Sequence, residues 1–321
     1  MEKSRAGGVF TCWREWLAGS EQPRLACEVA ADGVAAARRA RTSLKIEAWA
    51  TKPLPEGVVR PGPLAEDVLD PGALAEALQE VLREVGGGEK RVGVILPDSV
   101  ARVWLLRVES LPARPAEATA LLRWRLAKEV AFDFEQAFVA YQVFSRGESD
   151  RAVLVAAAQR ACLRQYEERF ETLGFEPTWV TLATLSTLGW LETEPTVSQL
   201  LVRHDPSSLG LAIVQGSELR LLRSVPTTMA DGSAETLFEQ IYPSLVYFQD
   251  EWGEPVQEAV LVGVGEARGE LARLLEREAG CRARELRLDS WAGELRPAVR
   301  SGDGAQRLAA ALGFLRAGVQ P

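Results

Sequence analysis

Histidine and clustered cysteine are nearly absent from this chain. Its 321 residues include one histidine, His204, and four cysteines that lie far apart, at Cys12, Cys27, Cys162 and Cys281. A zinc site needs several Cys or His ligands close together, and no CxxC pair occurs. The sequence therefore predicts no metal site and no Ser-His or Cys-His catalytic arrangement. We expect the cysteines to be reduced, mostly buried thiols in a reducing compartment.

Long apolar runs and an excess of positive charge are also missing. No stretch of about 18 apolar residues occurs, so we expect no membrane-spanning helix. The N-terminus lacks the apolar core of a signal peptide. Residues 9–17 fit a short amphipathic helix, which we expect to pack on its own domain, with contact to a membrane surface as the alternative. The 37 basic residues against 45 acidic ones give a net charge of -8, which argues against a general nucleic-acid binder. We therefore predict a soluble, cytoplasmic protein.

Apolar residues make up 47% of the chain, which is enough for two packed α/β domains. In the first part, apolar runs and alternating patterns predict three strands, with a hairpin turn at Asp32-Gly33, followed by an amphipathic helix. These predicted elements are strands at residues 25–30, 34–41 and 44–50 and a helix at residues 71–85.

The middle of the chain predicts a separate unit with the order ββαββα. Its predicted strands are residues 92–96, 103–108, 138–144 and 152–157, and its predicted helices are residues 115–130 and 159–173. A strand at residues 178–182 and a helix at residues 183–191 then continue the first part.

The last part repeats the opening order. Its predicted strands are residues 199–202, 209–214, 219–225, 259–262 and 282–286, and its predicted helices are residues 233–252, 266–279 and 305–317. Two similar βββαβα halves around a cleft are typical of the actin-like (ribonuclease-H-like) and sugar-kinase architecture. The predicted domains are an N-terminal extension at 1–21, a first half at 22–90 and 178–197, an inserted module at 91–177 and a shortened second half at 198–321.

Six short motifs occur in a characteristic order. They are LPDS at residues 96–99, LRWR at 122–125, AYQV at 140–143, LGFEP at 173–177, SLVYF at 244–248 and LVGVG at 261–265. Each motif is weak alone, but together they resemble the PilM-type type IV pilus assembly proteins of the actin-like superfamily. The resemblance covers most of the chain and implies the same fold.

The resemblance also implies a nucleotide site, but this sequence differs from the family's sequence at several positions of that site. In actin-like proteins, two turns with an acidic residue and glycine cradle the phosphates and a hydrated Mg²⁺. In the first turn, Glu28 stands where the family has aspartate and Ala30 stands where it has glycine, with Asp32 and Gly33 following. The methyl group of Ala30 would crowd a phosphate.

The second turn also differs from the family pattern, whereas the third turn retains its glycines. Asp205 matches the acid of the second turn, but Pro206 removes a backbone N–H and Ser207 follows where glycine is expected. Gly263 and Gly265 keep the third turn, although two glycines also suit a tight strand-to-helix connection. The family's longer subdomain before the late helix is reduced here. We predict a degenerate site without tight ATP or Mg²⁺ binding, in a pseudo-ATPase rather than an enzyme.

PilM-type proteins bind the N-terminal tail of a membrane-anchored partner, PilN, in a groove between the main fold and the inserted module. By resemblance, this chain is expected to be a scaffold that binds a PilN-like tail and links it to the pilus assembly motor, peripheral to the inner membrane. The residues that we would first place in such a groove are Trp104, Arg107, Leu122 and Leu126.

Three other interpretations stay open. A nucleotide-dependent actin-like switch or ATPase would need a working cleft. The cytoplasmic domain of a type II secretion L-type protein normally continues into a membrane helix, whereas this chain ends at Pro321 without one. A sugar kinase would need a catalytic aspartate with a sugar-binding loop, and we find neither.

Overall fold

The structure of the chain is a computed structural model, and it describes residues 22–43, 45–62, 66–130, 132–145, 151–191, 196–216, 218–227, 232–288 and 306–317. The helix predicted at residues 9–17 and Cys12 lie outside these residues. Cys27, Cys162 and Cys281 are buried. In the part of the chain that is described, no helix is long and apolar enough to cross a bilayer.

Thirteen strands are found within the described residues. In chain order they are β1 (Leu25–Ala30), β2 (Gly33–Arg39), β3 (Ile46–Pro53), β4 (Arg91–Leu96), β5 (Ala101–Val108), β6 (Ala137–Ser145), β7 (Arg151–Gln159), β8 (Glu176–Leu182), β9 (Ser198–Asp205), β10 (Ser208–Gln215), β11 (Glu218–Pro226), β12 (Glu258–Val262) and β13 (Arg282–Glu285). They form two five-stranded sheets and one three-stranded sheet.

Seven α-helices complete the described part of the chain. They are α1 (Pro71–Val85), α2 (Pro115–Leu126), α3 (Arg160–Thr172), α4 (Ala183–Thr187), α5 (Ala234–Trp252), α6 (Arg268–Ala279) and α7 (Ala309–Ala317). Local sequence sets several of their ends. The Asp70 carboxylate accepts a hydrogen bond from the N–H of Ala73 and caps α1, and α5 ends at Gly253, whose φ of 75° suits glycine.

The two large sheets have the same topology. The first has the order β3-β2-β1-β4-β8 and the second has the order β11-β10-β9-β12-β13. In each sheet the first three strands are antiparallel neighbours, and the last two strands join in parallel. Parallel neighbours require helical crossovers, which the chain provides. The predicted duplicated α/β halves are therefore confirmed.

The small sheet has the order β5-β7-β6 and is antiparallel throughout. Leu122 and Leu126 of α2 pack on one of its faces with Val153 and Val155 of β7. The sheets differ from the sequence prediction at one strand: β4, predicted within the inserted module, pairs with β1 and β8 in the first large sheet. Its apolar sequence fits a strand between parallel neighbours equally well.

The C-terminal helix α7 packs on the first half rather than the second. The indole N–H of Trp190 donates to the carbonyl oxygen of Ala309 at 2.8 Å, and the ring of Phe314 meets Trp179 edge-on. Leu201 and Ala212 of the second sheet belong to the same core as the first. The two halves are thus joined by a continuous apolar core, and their strand ends meet at a cleft.

Candidate functional site

A cavity of about 280 Å³ lies where the strand ends of the two halves meet. Two hairpins form its walls, β1–β2 from the first half and β9–β10 from the second. The turn after β12 and the residues before α7 complete it. Among its lining residues are Glu28, Ala30, Asp32, Gly33, Arg203, His204, Asp205, Pro206, Gly263, Gln306 and Arg307.

A buried ion network occupies the inner end of this cavity. Successive residues of a strand face opposite sides, so Leu200 and Val202 of β9 face the core of their own half, whereas Leu201 and Arg203 face the other half. One guanidinium nitrogen of Arg203, Nη1, donates to Oδ2 of Asp205 at 2.5 Å, and Nη2 donates to Oε1 of Glu28. All three charged side chains are more than nine-tenths buried.

In the hairpin between β9 and β10, the carboxylate of Asp205 accepts hydrogen bonds from the residues that follow it. Oδ1 of Asp205 accepts from the backbone N–H groups of Ser207 at 2.8 Å and Ser208 at 3.0 Å, and from the Ser207 hydroxyl at 2.7 Å. This is an Asx-type turn, in which a side-chain oxygen takes the place of an outside acceptor. The amides at the tip of this hairpin are therefore already satisfied.

The carboxylates of the network have different pKa values because their surroundings differ. Burial raises the pKa of Glu28 to about 7, although the Arg203 guanidinium opposes this effect. Burial also favours the neutral form of Asp205, but the Arg203 charge and the Ser207 hydrogen bonds outweigh it and lower its pKa. Burial raises the pKa of Asp98. Asp205 is thus the firmly ionised partner of Arg203.

Below the network, the two halves are in direct contact. Oδ1 of Asp98 accepts from the backbone N–H of Thr184 at 3.0 Å, and Oδ2 accepts from the Thr184 hydroxyl at 2.5 Å. Gly210 of β10 packs against this pair, and a Cβ there would lie 1.8 Å from Oγ1 of Thr184. Only glycine allows this approach.

The outer wall is held by the segment before α7. Arg307 forms an ion pair with Asp32 at 2.6 Å and also donates to its carbonyl oxygen. Gln306 accepts from the backbone N–H of Gly263 at 3.2 Å. Gly263 has a φ of 72°, and a Cβ there would lie 2.2 Å from the carbonyl oxygen of His204, so both its conformation and its packing require glycine.

The residues of the cleft do not fit a Mg²⁺-nucleotide. Phosphates need free backbone N–H groups at such hairpins, and a hydrated cation needs free carboxylates. Here the amides of Ser207 and Ser208 donate to Asp205, and Arg203 holds both Glu28 and Asp205. The cavity of about 280 Å³ is also at the lower limit for a small-molecule site, roughly 300–1,000 Å³.

The cleft brings together most residues predicted for a nucleotide site. Five of them line one cavity: Glu28, Asp32, Gly33, Asp205 and Gly263. Ser207 adjoins the cavity through its bonds to Asp205, and Gly265 begins a short 3-10 helix just beyond the turn.

Sequence reasoning missed four cleft residues, Arg203, Asp98, Gln306 and Arg307. For Arg203 a signal was present, because a charged residue interrupts the apolar run of β9 directly before His204 and Asp205.

A second concave site lies between the inserted module and the first half. It is a groove with a volume of about 130 Å³ between β6 and β8, the terminal strands of their sheets within the described residues. Its walls are mostly apolar and include Ala140, Leu154, Ala156, Leu163, Val180 and Leu182. Two terminal strands beside an apolar surface are the features to which extended peptides bind.

One polar side chain in this groove, that of Gln142, has no hydrogen-bond partner among the described residues. Gln142 follows Phe138 and Ala140 on the groove side of β6, whereas Val139, Tyr141 and Val143 pack on the module core. The Gln142 side chain is 7% exposed, and neither its Oε1 nor its Nε2 bonds to any residue that the structure describes. Buried amide groups are nearly always hydrogen-bonded, so the Gln142 amide is a candidate contact for a molecule bound in this groove.

The residues predicted for the partner groove lie elsewhere. Leu122 and Leu126 are 1% and 0% exposed in the module core, so neither is available to a partner. Trp104 packs on the same core, edge-on to Phe134. Arg107 bonds to Glu251 at 2.8 Å and lies over the ring of Trp252. The predicted helix and strand are correct. However, Leu122, Leu126 and Trp104 lie on the side of the small sheet that faces away from the groove, and Arg107 faces the second half.

The duplicated halves, the inserted module and the cleft between them define an actin-like fold. Among solved structures, the chain is similar to the PilM-PilN type IV pilus biogenesis complex, with a TM-score of 0.74 and 20% identity over 93% of this chain and 100% of that one. The fold predicted from the PilM-type resemblance is thereby confirmed.

Another similar structure has a lower score. It is a Bacteroides thetaiotaomicron protein described as having an actin-like ATPase fold and unknown function, with a TM-score of 0.51 and 13% identity over 90% of this chain and 96% of that one. No protein-family model and no curated protein matches the sequence.

Proposed function

We propose that this protein is a scaffold of type IV pilus assembly that binds a short extended segment of a PilN-like partner between β6 and β8. The observation that carries the proposal is the unpartnered amide of Gln142 in an apolar groove. The similar solved structure is a complex of PilM with PilN, which supports the class of partner.

The groove suits an extended peptide better than a helix or a small molecule. β6 and β8 each lack a neighbouring strand on the groove side among the described residues, so their backbone groups can pair with an added strand. Apolar residues such as Ala156 of β7 and Leu182 of β8 line the floor of the groove, where every second side chain of that strand can pack. A segment with apolar residues at every second position is therefore the expected ligand.

Gln142 gives this groove a way to recognise a backbone. A residue in an extended chain presents its N–H and C=O on the same side, and a side-chain amide offers one acceptor and two donors. Oε1 and Nε2 of Gln142 can thus bond the N–H and the C=O of one peptide residue. Binding would satisfy two buried atoms that have no partner among the residues that the structure describes.

The proposed role requires contacts rather than catalysis. Because Arg203 and Asp205 satisfy the groups that a nucleotide would need, we propose a pseudo-ATPase without ATP or Mg²⁺. The protein would then lie at the cytoplasmic face of the inner membrane through its partner, and connect that partner with further components of the pilus assembly machinery.

A peptide titration tests the proposal. A synthetic peptide with the N-terminal residues of the PilN-like protein of the same organism is titrated by calorimetry, with a scrambled peptide as reference. Ala156→Phe fills the groove floor and is expected to abolish binding, because Ala156 lines the groove. Trp124→Ala removes a 79% exposed side chain on the other side of the module and should leave binding unchanged. Equal binding by both variants would refute the groove.

A further inference from the structure

We propose that Arg203 is a built-in counter-ion that holds the two halves of the fold in one closed arrangement without any bound ligand. This clamp, formed by Arg203 with Glu28 and Asp205, lies in the cleft and is independent of the peptide groove.

The buried ion network connects the two halves of the fold. Glu28 belongs to β1 of the first half, whereas Arg203 and Asp205 belong to β9 of the second half. Arg203 is 175 positions away from Glu28 in the sequence. The bond from Arg203 to Glu28 is therefore a direct link between halves, made by two charged groups that are both shielded from water. Hydrogen bonds between ionised groups are stronger than neutral ones, and low local dielectric strengthens them further.

Removal of the Arg203 guanidinium would leave buried carboxyl groups without this counter-ion. Three carboxylates, those of Glu28, Asp98 and Asp205, interact electrostatically with Arg203, which provides the positive charge among them. Without it, these acids would repel each other in a buried space. Burial already raises the pKa of Glu28 to about 7 with Arg203 present, and Oε2 of Glu28 has no bond to any described residue. Arg203 is thus the group that keeps Glu28 anchored.

Contacts on either side of the network also join the walls of the cleft. Gly210 packs on Thr184 and Asp98, which fixes the closest approach of the halves directly beneath Arg203. Arg307 bridges the outer wall by its ion pair with Asp32. The clamp therefore acts across a cleft whose floor is already in contact, and it needs no ligand to bring the walls together.

Chemical rescue tests the clamp. Arg203→Ala leaves a cavity with the shape of a guanidinium group, and breaking a buried pair is expected to lower Tm by about 5–15 °C. Low, non-denaturing concentrations of guanidinium chloride should restore part of that loss, whereas urea, which has the same shape without the charge, should not. Neither additive should stabilise the wild-type protein. A Tm of Arg203→Ala equal to wild type, or equal effects of guanidinium and urea, would overturn the proposal.

A second variant covers the case in which Arg203→Ala does not fold. Arg203→Met combined with Glu28→Gln and Asp205→Asn removes the ion pair that links the halves and leaves no charge of the Glu28, Arg203 and Asp205 network unpaired. This variant should fold, since neutral replacement of a complete buried ion network is often tolerated. Spin labels at Glu76→Cys and Glu276→Cys, two exposed positions in different halves, report the distance between halves in a Cys12→Ser background. We expect one narrow distribution in the otherwise wild-type protein, unchanged by Mg-ATP, and a broader one in the variant. A wild-type distribution that shifts with Mg-ATP, or an unbroadened variant, contradicts the clamp.

Discussion

Replacing Gln142 by leucine should make the free protein more stable and the complex weaker. Leucine has a similar size and no polar atoms, so it removes two buried groups that have no partner among the described residues. Each unsatisfied buried group costs about 1–3 kcal/mol, and the free protein should gain about that amount. A rise of this size is unusual, because most buried substitutions destabilise.

The same substitution removes two hydrogen bonds from the proposed complex. At about 0.5–1.5 kcal/mol each, their loss should raise Kd for the PilN-like peptide roughly 5- to 150-fold. Denaturant unfolding measures the first effect and calorimetry with the peptide measures the second. A residue with a purely structural role would not move the two quantities in opposite directions.

A matched control exists in the second half of the fold. Gln199 is also buried, but its amide donates to Glu258 at 3.4 Å. Gln199→Leu should therefore destabilise the protein and leave peptide binding unchanged. If Gln142→Leu lowers stability as Gln199→Leu does, or leaves the peptide Kd unchanged, the proposed role of Gln142 is wrong.

The remaining predictions concern the charged cleft, a buried acid and the contact between halves. Because burial raises the pKa of Glu28 from 4.5 to about 7, its contribution to stability is complete below pH 4.5 and is lost as the pH rises through 7. This drop of about 3 kcal/mol in the free energy of unfolding should be missing in Glu28→Gln. Burial likewise raises the pKa of Asp67 to about 7, against the hydrogen bond from Tyr166, so Asp67→Asn should remove a further loss of stability between about pH 4 and pH 7 in denaturant titrations. Gly210→Ala should lower Tm sharply, since its Cβ would overlap Thr184, whereas Gly269→Ala, with open space in helix α6, should raise stability by about 0.5–1 kcal/mol.

Local patterns were sufficient to predict most elements of the fold. The apolar face of α1, with Leu74, Leu78 and Val81, predicted the helix that the structure shows, and the alternation of residues 138–144 predicted β6. Helix α2 is shorter than predicted and ends at Leu126, although residues 127–130 continue an acceptable helical composition. Such ends depend on packing rather than on propensity.

The candidate sites were less accessible to sequence reasoning because they depend on distant pairs. The turns at Asp32-Gly33 and Gly263 could be placed from glycine and acidic residues alone. The hydrogen bond from Arg203 to Glu28 joins two residues 175 positions apart, and no local pattern contains such a contact. Leu122 was predicted for the partner groove that the family resemblance implies, but it lies on the apolar face that covers the module sheet.

The most direct test of the central claim is site-specific photo-crosslinking in the native organism. A photo-reactive phenylalanine analogue is placed at Phe138, which is 43% exposed and lines the groove, and in a second strain at Trp124. Mass spectrometry then identifies the crosslinked peptide. The account predicts that position 138, and not position 124, crosslinks to the N-terminal segment of a PilN-like membrane protein. Crosslinks to that segment from position 124 alone, or none from position 138 while the two proteins still co-purify, would contradict it.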